Sequence, residues 1–190
     1  MKREPSLIRL SRDHHRGLVM AMRIERDLTA ADVEETKQIY EDLRSFWRIG
    51  LLPHFRAECE CLLARLVRHV SPQDETIART QHDHLRIESL LVGMQDNDNW
   101  ESRRRLMFEL GDLLKQHIRW EESTLFEAAQ TLLTESDNSA LEADLTERIP
   151  EMPVPPDWPR RKIGLISPLQ AVATVNELGR VRVFPGYRLP

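Results

Sequence analysis

The sequence predicts an all-α fold, an antiparallel up-down-up-down four-helix bundle with a C-terminal appendage. Three observations predict it. Apolar residues recur at helical spacing through most of residues 1–135, and cap and break signals divide them into four segments. The connections between those segments are short, which makes consecutive helices antiparallel neighbours. One pattern also occurs twice: His54-Phe-Arg-Ala-Glu58-Cys-Glu-Cys-Leu-Leu and His117-Ile-Arg-Trp-Glu121-Glu-Ser-Thr-Leu-Phe. His, Arg, Glu and Leu fall at matching places in both copies. On a helix, residues four apart share a face, so each copy presents one imidazole and one carboxylate to a single point.

The elements follow in order. Ser11 can cap a first helix with Leu18, Ala21 and Met22 as apolar positions, ending near Leu28-Thr29-Ala30. Asp32 can cap a second, longer helix through Ile39, Leu43, Phe46 and Trp47. Gly50 and Pro53 interrupt it just before His54, because proline in a helix interior kinks or splits it. Ser71-Pro72, followed by Asp74 and Glu75, opens a third helix that runs to about Met94. Asp96-Asn97-Asp98-Asn99 is a loop. A fourth helix runs from near Trp100 to Leu133, with Leu106, Leu110, Leu113, Leu114, His117 and Glu121 on one side. Residues 136–190 form the appendage. A short amphipathic stretch around Leu141 to Ile149 leads into a linker stiffened by Pro150, Pro153, Pro155, Pro156 and Pro159. A brief helix follows from Ser167-Pro168 to Leu178, and then an alternating extended segment, Arg180-Val-Arg-Val-Phe184. A lone strand needs a partner. The simplest is the same segment of a second chain, giving a two-fold homodimer.

Composition excludes several classes. Lys and Arg number 27 against 31 Asp and Glu, interleaved along the chain, so no basic surface for nucleic acid is expected. No apolar run reaches the length of a membrane span. The start, Met-Lys-Arg-Glu-Pro, is charged and leads into a polar helix rather than an apolar leader, which reads as a cytoplasmic protein. Cys59 and Cys61 are two apart on one helix and point to different faces, so a disulfide between them is geometrically poor.

The other two helices bring histidines of their own, in Asp13-His14-His15 and His82-Asp83-His84. The order along the chain is His, His-x-x-x-Glu, His, His-x-x-x-Glu, one element per helix. The apolar frame selects between neighbours. His84 continues a stripe of Ile77, Ile87, Leu90 and Leu91, whereas His82 shares its face with Arg86 and Ser89. By the same offsets His15, followed by Leu18, Ala21 and Met22, is favoured over His14, followed by Gly17, Met20 and Ala21. The parallel order Asp13-His14 and Asp83-His84 argues the other way. The predicted metal ligands are His15, His54, Glu58, His84, His117 and Glu121. Four His and two Glu are too many for one four-coordinate zinc. They suit two ions that share the carboxylates and keep positions for a solvent or small ligand. A ferritin-like oxidase is disfavoured, because that class uses Glu-x-x-His.

Over roughly Leu10 to Leu133 the chain resembles the hemerythrin-like, or HHE cation-binding, family. The carrying residues are Leu-Ser-Arg-Asp-His-His15, His54-Phe-Arg-Ala-Glu58, Asp-His84-Leu-Arg-Ile and His117-Ile-Arg-Trp-Glu121-Glu122-Ser-Thr-Leu-Phe. The resemblance implies a four-helix bundle holding a non-haem di-iron centre, two ions per chain with carboxylate bridges and a bridging oxo or hydroxo group. By affinity order zinc or copper would outcompete ferrous iron, so iron rests on the resemblance. It further implies a small diatomic or peroxide ligand, with oxygen binding or the sensing of oxygen, nitric oxide or iron. The alternatives are a di-iron enzyme consuming peroxide or nitric oxide or supporting repair, and a metal-free helical interaction module. The classical oxygen carriers have a fifth histidine and a longer His-to-acid spacing on the last helix. This chain has neither, which argues against simple oxygen carriage. Cys59 stands where a second Glu is common. Glu60 and Glu122 read as solvated or outer groups, Cys59 as a small core residue, and His69 as a helix-end group favoured by the dipole. Trp47, Phe55, Trp120 and Phe126 read as core, and Arg103-Arg104-Arg105 as a solvated face.

Overall fold

A computed structural model describes residues 3–148 of the chain, and among them every regular element is helical. Four long helices come first: α1 (Pro5–Leu28), α2 (33–66), α3 (Glu75–Gln95) and α4 (100–132). A fifth, α5 (Glu135–Arg148), follows. The Pro-rich linker, the brief helix after Ser167, the extended segment and the homodimer expected from it all lie outside the described residues.

Local chemistry explains most boundaries, with some corrections. Asp32 caps α2 as expected: its side chain accepts from the Glu35 N–H while the Glu35 carboxylate accepts from the Asp32 N–H. Asn99 caps α4 through the Ser102 N–H. The first helix starts earlier than Ser11, at Pro5, where the missing N–H costs nothing and φ is already helical. The third starts later than Ser71. Asp74 is its cap, accepting from the Thr76 N–H, and Ser71 belongs to the preceding turn.

Gly50 and Pro53 do not break α2. The chain passes them in a π-helical turn, Trp47–Leu51, in which the Leu52 N–H reaches back to the Trp47 carbonyl. A wider turn relieves the clash between a proline ring and the preceding turn. Two more π turns follow the paired motifs, at Glu58–Leu63 and Glu121–Leu125.

The core falls into two apolar groups with polar residues between them. Along α1 the buried order is Leu7, Leu10, His14, Gly17, Ala21, Ile24, Leu28. Along α2 it is Leu43 and Phe46, then His54 and Glu58, then Leu62 and Leu66. One apolar group takes the early turns of α1 and α3 (Leu7, Leu10, Ile77) and the late turns of α2 and α4 (Leu62, Leu66, Leu125, Phe126). Each fully buried Leu or Phe is worth roughly 1.5–3 kcal/mol. The Arg103–Arg105 run is not simply a solvated face. Arg104 donates to the carbonyls of Leu28, Thr29 and Ala31 at the end of α1, and Arg103 donates to Met94 O at the end of α3. Helix C-termini leave carbonyls unpaired, and a guanidinium fork can satisfy several at once.

Helix α5 packs back on α1 and on the late turns of α2, so the boundary expected after residue 135 falls inside one compact unit. Its Leu141 and Leu145, one turn apart, are buried in the apolar group just described. Asp137 anchors its start. The carboxylate accepts from the Thr134 hydroxyl and N–H, from Arg68 at 2.9 Å and from His69 at 2.9 Å. His69 is therefore an inter-helix tether rather than a free helix-end group. The Thr134 hydroxyl and N–H, then His69 and Arg68, hold the Asp137 carboxyl down to about 2. A folded-state value below the ordinary ~3.9 means the contribution is complete above about pH 4 and is lost as pH falls through about 2. Urea midpoints of the parent and of Asp137→Asn should therefore differ at neutral pH and converge between pH 4 and pH 2. A gap that stays constant across that range would contradict this anchoring.

Candidate metal centre

Each of the four long helices sends polar side chains inward at the level between the two apolar groups. His14 comes from α1, His54 and Glu58 from α2, His84 from α3, and His117 and Glu121 from α4; all are buried. The His-to-Glu turn is α-helical in both copies: the Glu58 N–H donates to His54 O and the Glu121 N–H to His117 O. The π turns begin only there. A π turn changes the helical phase beyond the carboxylates, and such bulges are frequent at functional sites.

The six residues form two groups of four that share both carboxylates. One is His14, His54, Glu58 and Glu121, and the other is Glu58, His84, His117 and Glu121; in each, one ligand atom per residue lies within 4.8 Å of all the others. Glu58 Oε1 stands 3.4 Å from His14 Nε2 and 3.2 Å from His54 Nε2, while its Oε2 stands 3.2 Å from His84 Nε2. Glu121 Oε2 stands 3.1 Å from His14 Nε2 and 3.2 Å from His117 Nε2, and its Oε1 stands 3.9 Å from His84 Nε2. Two donors on one ion at about 2.0–2.2 Å, at octahedral to tetrahedral angles, lie about 3.0–3.4 Å apart. All but one of these spacings fall in or at the edge of that range.

The donor atoms also lack other partners. All four Nε2 atoms and all four carboxylate oxygens are buried without a hydrogen bond. Native structures rarely leave buried polar atoms unpaired, and each such atom costs about 1–3 kcal/mol. A cation among them would satisfy all eight, so the residues present fit a metal.

An outer ring of groups stands behind the imidazoles. Asp13 Oδ2 is 3.7 Å from His54 Nδ1, and Asp83 Oδ2 is 3.8 Å from His117 Nδ1. The Asp that precedes each lone histidine thus backs the histidine of a neighbouring helix. Glu122 Oε1 accepts from His14 Nδ1 at 2.7 Å. Of the three carboxylates, only Glu122 is within hydrogen-bond distance; it holds the proton on His14 Nδ1 and leaves the Nε2 lone pair facing the cluster, the tautomer a metal needs. Behind His84 the neighbour is Cys59 Sγ, 3.6 Å from Nδ1. Phe55 stacks on the His84 ring at 3.7 Å and Phe126 on the His14 ring at 5.0 Å. Trp47 and Trp120 are only half-buried.

Burial alone would lower the pKa of His54, but Glu58 and Asp13 outweigh it and raise it to about 9. His14 is raised in the same way against its burial by Glu121, Glu122 and Glu58. Without a metal, these imidazoles balance the buried carboxylates as cations. Burial, with the surrounding carboxylates, pushes the Cys59 thiol up to about 11, so it is a neutral thiol at ordinary pH. Cys61 is fully buried in the apolar core, and neither cysteine is in a disulfide.

One residue predicted for the site stands outside the cluster. His15 is exposed, and His14 takes the place expected of it. The apolar frame failed because Gly17 is a core position. A Cβ there would lie 2.7 Å from Ile118 Cδ1, so α4 packs closely against a residue that an apolar frame counts as empty. Met22, taken as core, is 53% exposed. The signal that finds His14 is the Asp13-His14, Asp83-His84 parallel. His84 is buried and His82 exposed, as the stripe predicted. Glu122 is one of the outer groups, whereas Glu60 pairs at the surface with Arg56. A surface groove of about 390 Å³ between α2 and α3, lined by Tyr40, Trp47, Leu52 and Glu88 among others, contains none of the six cluster residues.

A helical protein whose buried His and Glu side chains converge in two linked groups belongs to the class of bundle proteins built for cations. The family comparison agrees: the hemerythrin HHE cation binding domain model matches residues 6–129, and the chain belongs to this family. Searches of curated proteins and of solved structures found no match. Among the described residues no helix is long and apolar enough to cross a membrane.

Proposed function

We propose that this protein holds a non-haem di-iron centre and uses it to bind or sense oxygen, nitric oxide or a related small oxidant in the cytoplasm. The observation that carries this reading is the pair of four-ligand groups sharing Glu58 and Glu121, with every donor atom unpartnered. Two imidazoles and two carboxylate oxygens per ion leave coordination positions open on a metal that accepts five or six ligands. When bound, iron would supply reversible redox change and an open position for a diatomic or peroxide ligand. The protein's own residues do the rest. Glu122 orients His14, Asp13 and Asp83 place negative charge behind His54 and His117, Phe55 and Phe126 pack against imidazoles, and the two apolar groups keep bulk water from the cluster. An antiparallel up-down-up-down order is supported by the shared apolar group, which takes early turns of α1 and α3 and late turns of α2 and α4.

The test is elemental analysis of protein made in iron-supplied cells and purified without a metal-affinity tag. Two irons per chain are expected. Near-ultraviolet absorption from an oxo-bridged ferric pair should bleach with dithionite, and the reduced protein should change spectrum on adding nitric oxide. Stoichiometric zinc in place of iron, with no such absorption, would overturn the iron assignment. Absence of any stoichiometric transition metal would overturn the metal centre itself.

A further inference from the structure

The two halves of the cluster repeat several contacts and differ in the chemical type of the residue behind the lone histidine. His54 sits against Glu58 at 3.2 Å and His117 against Glu121 at 3.2 Å. Asp13 backs His54 at 3.7 Å and Asp83 backs His117 at 3.8 Å. The rings of His14 and His54 meet edge-on at 4.8 Å, and those of His84 and His117 at 5.0 Å. The residue after each shared glutamate reaches the Nδ1 of a lone histidine. After Glu121 that residue is Glu122, 2.7 Å from His14 Nδ1. After Glu58 it is Cys59, 3.6 Å from His84 Nδ1.

The exchange matters because of what each group can do. An ionised carboxylate only accepts, so Glu122 holds the proton on His14 Nδ1 and leaves Nε2 free. It also raises the basicity of the ligand nitrogen. A thiol is a weak acceptor and a weak donor. If Cys59 S–H donates to Nδ1, the His84 proton moves to Nε2, where it blocks a metal. Even as an acceptor, sulfur polarises the imidazole less than a carboxylate does. Outer partners of metal-bound histidines are typically worth 10–100-fold in affinity.

We propose that Cys59 makes the two ion positions unequal, leaving the one formed by His84, His117, Glu58 and Glu121 the weaker and first emptied of the pair. Cys59 acts here as a positioning residue, through His84. The inference rests on the two-ion reading above. The weaker position is also the one whose release would convert a two-ion centre into a one-ion centre at low iron supply.

The test loads the full chain with Fe(II) anaerobically and dialyses it against graded chelator, counting iron per chain. Two ions sharing bridges repel, so even a symmetrical site empties in two steps, and the spacing of the steps decides nothing by itself. Substitution decides it. Cys59→Glu should strengthen the weaker step by about 10–100-fold and leave the stronger one in place. Glu122→Cys should weaken the stronger step by a similar factor, and Cys59→Ala should not strengthen the weaker one. In metal-free protein, nitrogen-15 NMR of His84 should show more Nδ1–H tautomer in Cys59→Glu. A gain in affinity cannot come from a merely damaged fold, and the Glu122→Cys arm tests the same idea from the other half. Two ions whose release steps stay within about threefold of the parent in both variants would overturn the inference while leaving the metal reading standing, since the expected factor is 10–100. Failure of the parent to bind Fe(II) at all would overturn both.

Discussion

Glu58→Ala should empty both metal positions at once. Glu58 is the one residue whose two oxygens face different halves of the cluster, Oε1 towards His14 and His54 and Oε2 towards His84. Its loss removes a ligand atom from each ion and an anion from between two cations. Removing an outer partner typically costs 10–100-fold in affinity, and a bridging ligand should cost more than about 100-fold at each position. Glu121→Ala should behave the same way. His14→Ala removes a ligand from one group only and should leave the other ion bound. His15→Ala should leave both in place, because His15 is exposed. The measurement is iron per chain after gel filtration in chelator-free buffer, with helical content checked by circular dichroism. Retention of both ions in Glu58→Ala would refute the shared-carboxylate geometry, and a loss in His15→Ala equal to that in His14→Ala would refute the register on α1.

Stripping the metal should lower the melting temperature by roughly 8–16 °C or more. Any ligand bound only by the native state stabilises it by mass action, about 4.1 kcal/mol when free metal is a thousandfold above Kd. For a domain of this size each kcal/mol moves Tm by roughly 2–4 °C. The metal-free state is poorer in its own right, since the donor atoms of the cluster stay buried and unpaired. Imidazolium formation at His14 and His54 offsets part of this cost by balancing the carboxylates. The comparison is calorimetry of loaded and chelator-treated protein at the same pH, followed by readdition of Fe(II). Superimposable melting curves would place the ions outside the core. A Glu58→Ala protein should melt alike with and without added iron, which separates the ion's contribution from that of the side chain.

The sequence by itself determined the helical class, four of the helix spans to within a turn or two, and five of the six residues that converge. The His-x-x-x-Glu repeat did this because four residues make one helical turn wherever the helix lies. Ile77, Ile87 and the polar neighbours of His82 were enough to orient α3. Only the tertiary structure decided the rest. His14 rather than His15 faces inward, on the same face as Gly17, which lies against Ile118 of α4. No pattern within α1 records that contact. Arg104 caps α1 from another helix, and Asp137 ties α5 to the end of α2; both pairings join residues more than sixty apart in the chain. The π turns after Glu58 and Glu121 depend on hydrogen-bond register, which apolar periodicity does not encode. The placement of Glu122 behind His14 and Cys59 behind His84 likewise depends on how four helices meet. Local chemistry sets which groups a helix can offer, and packing sets what they face.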